Sequence, residues 1–100
     1  MSMRGLVIRE PWISKILGGE KTWEMRSVAT KVRGEIALIR QGSGLVVGLA
    51  RLVDCRPPLD RSSYMDHADR HAIPAETHDE VIANRWVHPW VLADARPLQK

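Results

Sequence analysis

Apolar positions along the chain change period several times, and each change marks an element. Leu6-Val7-Ile8 is a short apolar run ending at Arg9, which reads as a buried first strand. Pro11 suits the first turn of a helix, where its missing N–H costs nothing. Trp12, Ile13, Ile16 and Leu17 then recur at helical spacing until Gly18-Gly19 stops the helix. From Lys21 to Ser27 the period falls to two: Trp23 and Met25 point one way, Thr22, Glu24 and Arg26 the other. That is a strand with one apolar face and one chemically loaded face.

Gly34 opens a further strand over Glu35 to Arg40, and Gln41-Gly42-Ser43-Gly44 reads as a hairpin loop into a long strand, Leu45 to Cys55. Gly48 within that strand predicts a bulge, a bend or a close backbone approach. Pro57-Pro58 ends it. Leu59 to Ala72 is polar with a sparse apolar stripe (Met65, Ala68, Ala72) and reads as a solvated helical or irregular insert. Thr77-His78-Asp79-Glu80 has capping-box spacing and predicts a short helix to Asn84. Trp86, His88, Trp90 and Leu92 share strand parity, with Pro89 arguing for an edge or a bulge. Trp86 and Trp90 read as packed wall rather than binding platform, Trp23 as core, and Cys55 as a small buried apolar residue.

Composition narrows the class. One hundred residues, 44% apolar and 27% charged, suit a single domain over 1–100. No run approaches the ~18 apolar residues of a membrane span, and the N-terminus has no signal core, so the expected location is the cytoplasm, without membrane association. One cysteine excludes an internal disulfide framework. His67 and His71 have i, i+4 spacing, but nothing completes a zinc set, so no metal and no cofactor are expected.

Charge points to a partner. Up to Arg56 there are ten basic and five acidic residues, a balance of +5; beyond it five basic face seven acidic, −2. Arginine outnumbers lysine eleven to four, and its planar fork suits phosphates and base edges, so nucleic acid is a candidate partner. A solvated Arg-rich surface explains the same composition.

The segment Gly19-Glu20-Lys21-Thr22-Trp23-Glu24-Met25-Arg26 fits Gly-x-Lys-x-x-Glu-x-Arg. With the strand and Trp-bearing helix before it and the Gly-rich hairpin after it, the chain resembles ASCH domains from Gly5 to Leu92. The resemblance implies an α+β fold, a small PUA-like β-barrel with inserted helices. It also implies RNA or a modified nucleobase as ligand, in a cleft beside the first helix. The residues expected there are Arg9, Trp12, Lys15, Lys21, Thr22, Glu24, Arg26 and Arg40.

In the cleft, a carboxylate accepts from an exocyclic amine while Arg and Lys take carbonyl or phosphate oxygens. Glu24 and Arg26, two apart, also suit a structural ion pair, and Trp12 suits either base stacking or packing. The alternatives are a hydrolase acting on acetylated cytidine or RNA, and a protein-interaction module. In the hydrolytic branch a threonine nucleophile stands where this chain has Glu24, so binding is the expected activity; Lys21 and Glu24 are the catalytic pair if the chain is an enzyme. ASCH barrels commonly add a closing strand. If none follows Leu92, an unpaired edge there would favour a homodimer.

Overall fold

The computed structural model describes residues 4–98. Five strands form one sheet: β1 (Arg4–Ile8), β2 (Trp23–Arg26), β3 (Gly34–Arg40), β4 (Val46–Cys55) and β5 (His88–Pro97). Their spatial order is β1-β3-β4-β5-β2, with β1 parallel to β3 and every other pair antiparallel. Helix α1 (Trp12–Leu17) lies between β1 and β2 in sequence. The segment between β4 and β5 carries α2 (Arg61–Asp66), α3 (Ala68–His71), a single 3-10 turn (Ala75–Thr77) and α4 (His78–Ala83). The architecture is an α+β half-barrel.

Two cores hold it together. Leu6 and Ile8 of β1, Ile36 and Leu38 of β3, and Ala50 and Leu52 of β4 keep strand parity and close over Ile13 and Ile16 of α1 and Leu92 of β5. Each fully buried Leu or Ile side chain here contributes ~1.5–3 kcal/mol by leaving water. Gly48 sits where β3 and β4 slip register. A Cβ at Gly48 would strike Leu17 and stand 2.7 Å from the Arg96 carbonyl oxygen, so the expected close approach is real. At the end of α1, Gly19 takes a left-handed φ of 84°, and the Glu20 and Lys21 amides both donate to the Lys15 carbonyl. That turn aims Lys21 inward.

The second core corrects the reading of Leu59–Ala72 as a solvated insert. Tyr64, Ile73 and Val81 pack with Trp23 and Met25, while Met65 of the expected stripe is exposed. His71 and His78 are buried beside Tyr64, their rings 4.6 and 4.9 Å from it. His71 serves as core because both its ring nitrogens find backbone partners, whereas His78 meets the Ile73 carbonyl through Nε2 at 2.9 Å and leaves Nδ1 buried without a partner among the described residues. The His71 Nε2–H donates to the Tyr64 carbonyl at 2.7 Å, and Nδ1 accepts the Ile73 amide at 2.9 Å.

Other local expectations also shift. Thr77 precedes α4 but makes no side-chain cap; its hydroxyl donates to Pro74 instead, and the capping box forms at α2 between Asp60 and Ser63. Cys55 is half-buried at the end of β4. Strand β5 runs on to Pro97, where it meets Gly48, and lies between β4 and β2. Pro89 is therefore in an inner strand, near its start. Among the described residues the free edges are β1 and β2, so the unpaired edge expected after Leu92 lies there instead. No helix among the described residues is long and apolar enough to cross a membrane.

Candidate functional site

The two free edges face each other across a seam, and the seam opens into a cavity of about 630 Å³. Val7, Ile8 and Arg9 at the end of β1 form one side; Lys21, Glu24, Met25 and Arg26 form the other. Trp12 of α1, Trp86 before β5, and Ile73, Thr77 and Glu80 from the helical insert complete the walls.

Lys21 is the most unusual group in it. The side chain is only 2% exposed, its Nζ donates to the His71 carbonyl at 2.6 Å, and it stands 5.0 Å from the centre of the Trp12 ring. Burial disfavours the charged amine and lowers its pKa to about 8, against the opposing pull of the nearby Glu24 carboxylate. Glu24 is buried as well, and loss of water pushes its carboxyl up while Lys21 and Arg26 pull it down. The pair therefore holds two ionisable groups away from their ordinary values inside one cavity.

Arg26 spans the seam. Its Nε donates to Glu24 Oε2 at 3.1 Å and its Nη2 to the Val7 carbonyl at 2.8 Å, a planar fork joining β2 to β1. The guanidinium also lies 5.6 Å from the Trp90 ring, whose Nε1–H donates to Val28. Glu24 and Arg26 thus form an ion pair on the cavity wall. Arg9 lies 5.7 Å from the centre of the Trp86 ring.

Of the residues expected in the cleft, Arg9, Trp12, Lys21, Glu24 and Arg26 line the cavity together. The other three do not. Lys15 pairs with Glu20 at 3.1 Å, and Arg40 pairs with Glu10 at 3.2 Å. Thr22 turns its hydroxyl into the protein, where Oγ1 is buried without a partner among the described residues, while its amide and carbonyl tie β2 to Arg70 and Leu92. The strand parity that grouped Thr22 with Glu24 fails because the ladder begins only at Trp23. Lys21 then shares the cavity with Glu24 at a spacing of three.

Sequence reasoning missed Trp86, which is 36% exposed and lines the cavity rather than serving as barrel wall. It precedes β5, so strand parity did not apply to it. Thr77 and Glu80 also reach the cavity, although their spacing suggested only a helix cap. No group of three or more metal-ligating side chains occurs among the described residues.

Comparison with known proteins places the chain in context. The family model for the ASCH domain matches residues 6–100. A crystal structure of ASCH from Zymomonas mobilis superposes with a TM-score of 0.79, covering 95% of this chain and 69% of that one at 14% identity. At that identity the likeness carries the fold. No curated protein matches the chain in sequence.

Proposed function

The chain belongs to the ASCH domain family, and from that premise we propose that the seam cavity binds a nucleobase, within single-stranded RNA or as a modified nucleoside. One observation carries the reading: a buried carboxylate, Glu24, sits between an amine and a guanidinium in a cavity walled by two tryptophans. The volume falls within the ~300–1,000 Å³ usual for small-molecule sites. Glu24 accepts from an exocyclic amine or ring N–H, Lys21 and Arg26 donate to base carbonyl oxygens, and Trp12 or Trp86 offers a stacking face. Arg9 at the mouth meets a phosphate.

Lys21 and Glu24 also favour a second reading, hydrolysis of a nucleobase amide. An amine whose pKa is about 8 exchanges a proton near neutrality, and a carboxyl raised by burial is a suitable partner. Binding is the preferred reading because Glu24 occupies the place where hydrolytic relatives carry a hydroxyl nucleophile, and the Thr22 hydroxyl lies outside the cavity. The test is titration with a panel of nucleosides including acetylated cytidine, read at the Trp12 and Trp86 indoles, with acetate release followed separately. Binding without acetate release supports the first reading. Release that disappears in Lys21→Ala supports the second, and no perturbation of either indole contradicts both.

A further inference from the structure

Strand β2 has a second cavity on its other face. Trp23, which precedes Glu24 and points the opposite way, floors it together with its cross-strand partner Val91. Arg56, at the end of β4, and His67 and Arg70, from the insert, surround it. The volume is about 250 Å³. The aromatic floor is ordered: the Trp23 and His67 rings stack at 4.8 Å with planes 28° apart. The Arg56 guanidinium lies 5.5 Å from the centre of the Trp23 ring.

The charges around this cavity are unbalanced. Arg56 makes no side-chain hydrogen bond or ion pair among the described residues. Arg70 has only a 3.8 Å approach to its neighbour Asp69, and its guanidinium is largely exposed. The one acid in the wall, Asp54, is already engaged: its Oδ1 accepts the Cys55 amide at 2.8 Å and lies 3.9 Å from Arg33. His67 is oriented by the Ser63 carbonyl, which accepts from Nδ1 at 2.8 Å and fixes the proton on that nitrogen. Two guanidiniums therefore border one stacked aromatic floor, Arg56 without a carboxylate partner among the described residues and Arg70 with only the 3.8 Å approach to Asp69, against a single wall carboxylate, Asp54.

We propose that this cavity is a phosphate-binding site, separate from the seam cavity and independent of the nucleobase reading. Its ligand is a phosphate group, as a monoester, as free phosphate or as a phosphodiester link. Planar forks with several N–H donors match phosphate oxygens, and two of them on one anion give charge-assisted hydrogen bonds.

The experiment is a heteronuclear NMR titration of the whole chain with inorganic phosphate, against chloride at matched ionic strength. A second arm uses a dinucleoside monophosphate, which carries one diester and no terminal phosphate. Phosphate is expected to shift the Trp23 indole and His67 ring signals, and Arg56→Ala with Arg70→Ala to weaken that response by about tenfold or more. Shifts with the diester as well identify a strand phosphate as the ligand; shifts with phosphate alone identify a monoester or free phosphate. Arg9→Ala, which changes an exposed residue of the seam cavity and none of this one, leaves these shifts intact. Should the double variant not fold, Arg56→Gln and Arg70→Gln, made singly at exposed positions, each weaken the response in a smaller step. The proposal is overturned if neither ligand moves Trp23 and His67, or if the arginine variants respond as wild type does.

Discussion

Lys21 donates to the His71 carbonyl at 2.6 Å across fifty positions of sequence. This bond fastens the turn after α1 to the helical insert, so the motif lysine is both a cavity group and a structural tie. The two roles make different demands. The tie needs a donor of the right length, whereas the buried charge costs stability.

The cost gives a prediction with a definite sign. The Lys21 pKa falls from 10.5 to about 8 on folding, so between these values the unfolded chain holds the proton more tightly than the folded one. Stability from this group is present above pH 10.5 and is lost as pH falls through about 8. Comparing wild type with Lys21→Met removes the other titrations to first order. Denaturant unfolding at pH 7 and pH 10 should show wild type gaining on the variant by on the order of 3 kcal/mol at the higher pH. A constant difference would mean that Lys21 keeps its ordinary pKa.

The succession of elements along the first half and the octet from Gly19 to Arg26 are legible in sequence, because they rest on local signals, whereas the spatial order that sets β1 beside β3 and β2 at the far edge is not. Glycines stop α1 and open the hairpin, and apolar parity marks β1, β3 and β4. The insert was not legible. Its core is Tyr64, His71 and Ile73, and two of these are polar side chains whose burial depends on backbone partners that only the fold supplies. For the same reason the depth of Lys21 and Glu24 could not be read from an alternating pattern. The insert covers them, and nothing within the strand signals that cover. Trp86 escaped notice because it stands before a strand rather than in it.

The Arg26 fork makes a second prediction. Arg26→Ala leaves Glu24 buried without its guanidinium and removes the bond to Val7, and should cost about 1–3 kcal/mol. Arg26→Lys should recover little, since one ammonium cannot make both bonds in that planar arrangement. Glu24→Gln probes the other partner. The Glu24 pKa is raised on folding, so its favourable contribution is full below pH 4.5 and is lost as pH rises through the raised value. Glu24→Gln should therefore improve relative to wild type between pH 4.5 and pH 7 in urea unfolding. A relative loss over that window would contradict the burial argument.

His71 supplies a third. Burial lowers its pKa from 6.5 to about 4, and both ring nitrogens are engaged by backbone in the neutral form. Protonation must break the bond from the Ile73 amide. The stability it contributes is full above pH 6.5 and is lost as pH falls towards about 4. Nitrogen NMR at pH 6 should show His71 neutral with its proton on Nε2, and the melting temperature should drop between pH 6.5 and pH 4. A charged His71 ring at pH 6 in the folded chain would contradict this assignment.

If the nucleobase enters the seam cavity as part of single-stranded RNA, Arg9 at the mouth meets a phosphate of the same strand. The direct measurement is fluorescence anisotropy with a short single-stranded RNA across a salt series, in wild type, Arg9→Ala and Trp12→Ala. Wild-type affinity should fall with a log–log slope of about −0.7 for each phosphate neutralised. Arg9→Ala should make that slope shallower by about one such step, whereas Trp12→Ala should weaken binding and leave the slope unchanged. RNA binding that ignores salt, is absent at low salt, or is identical in all three proteins would contradict the account.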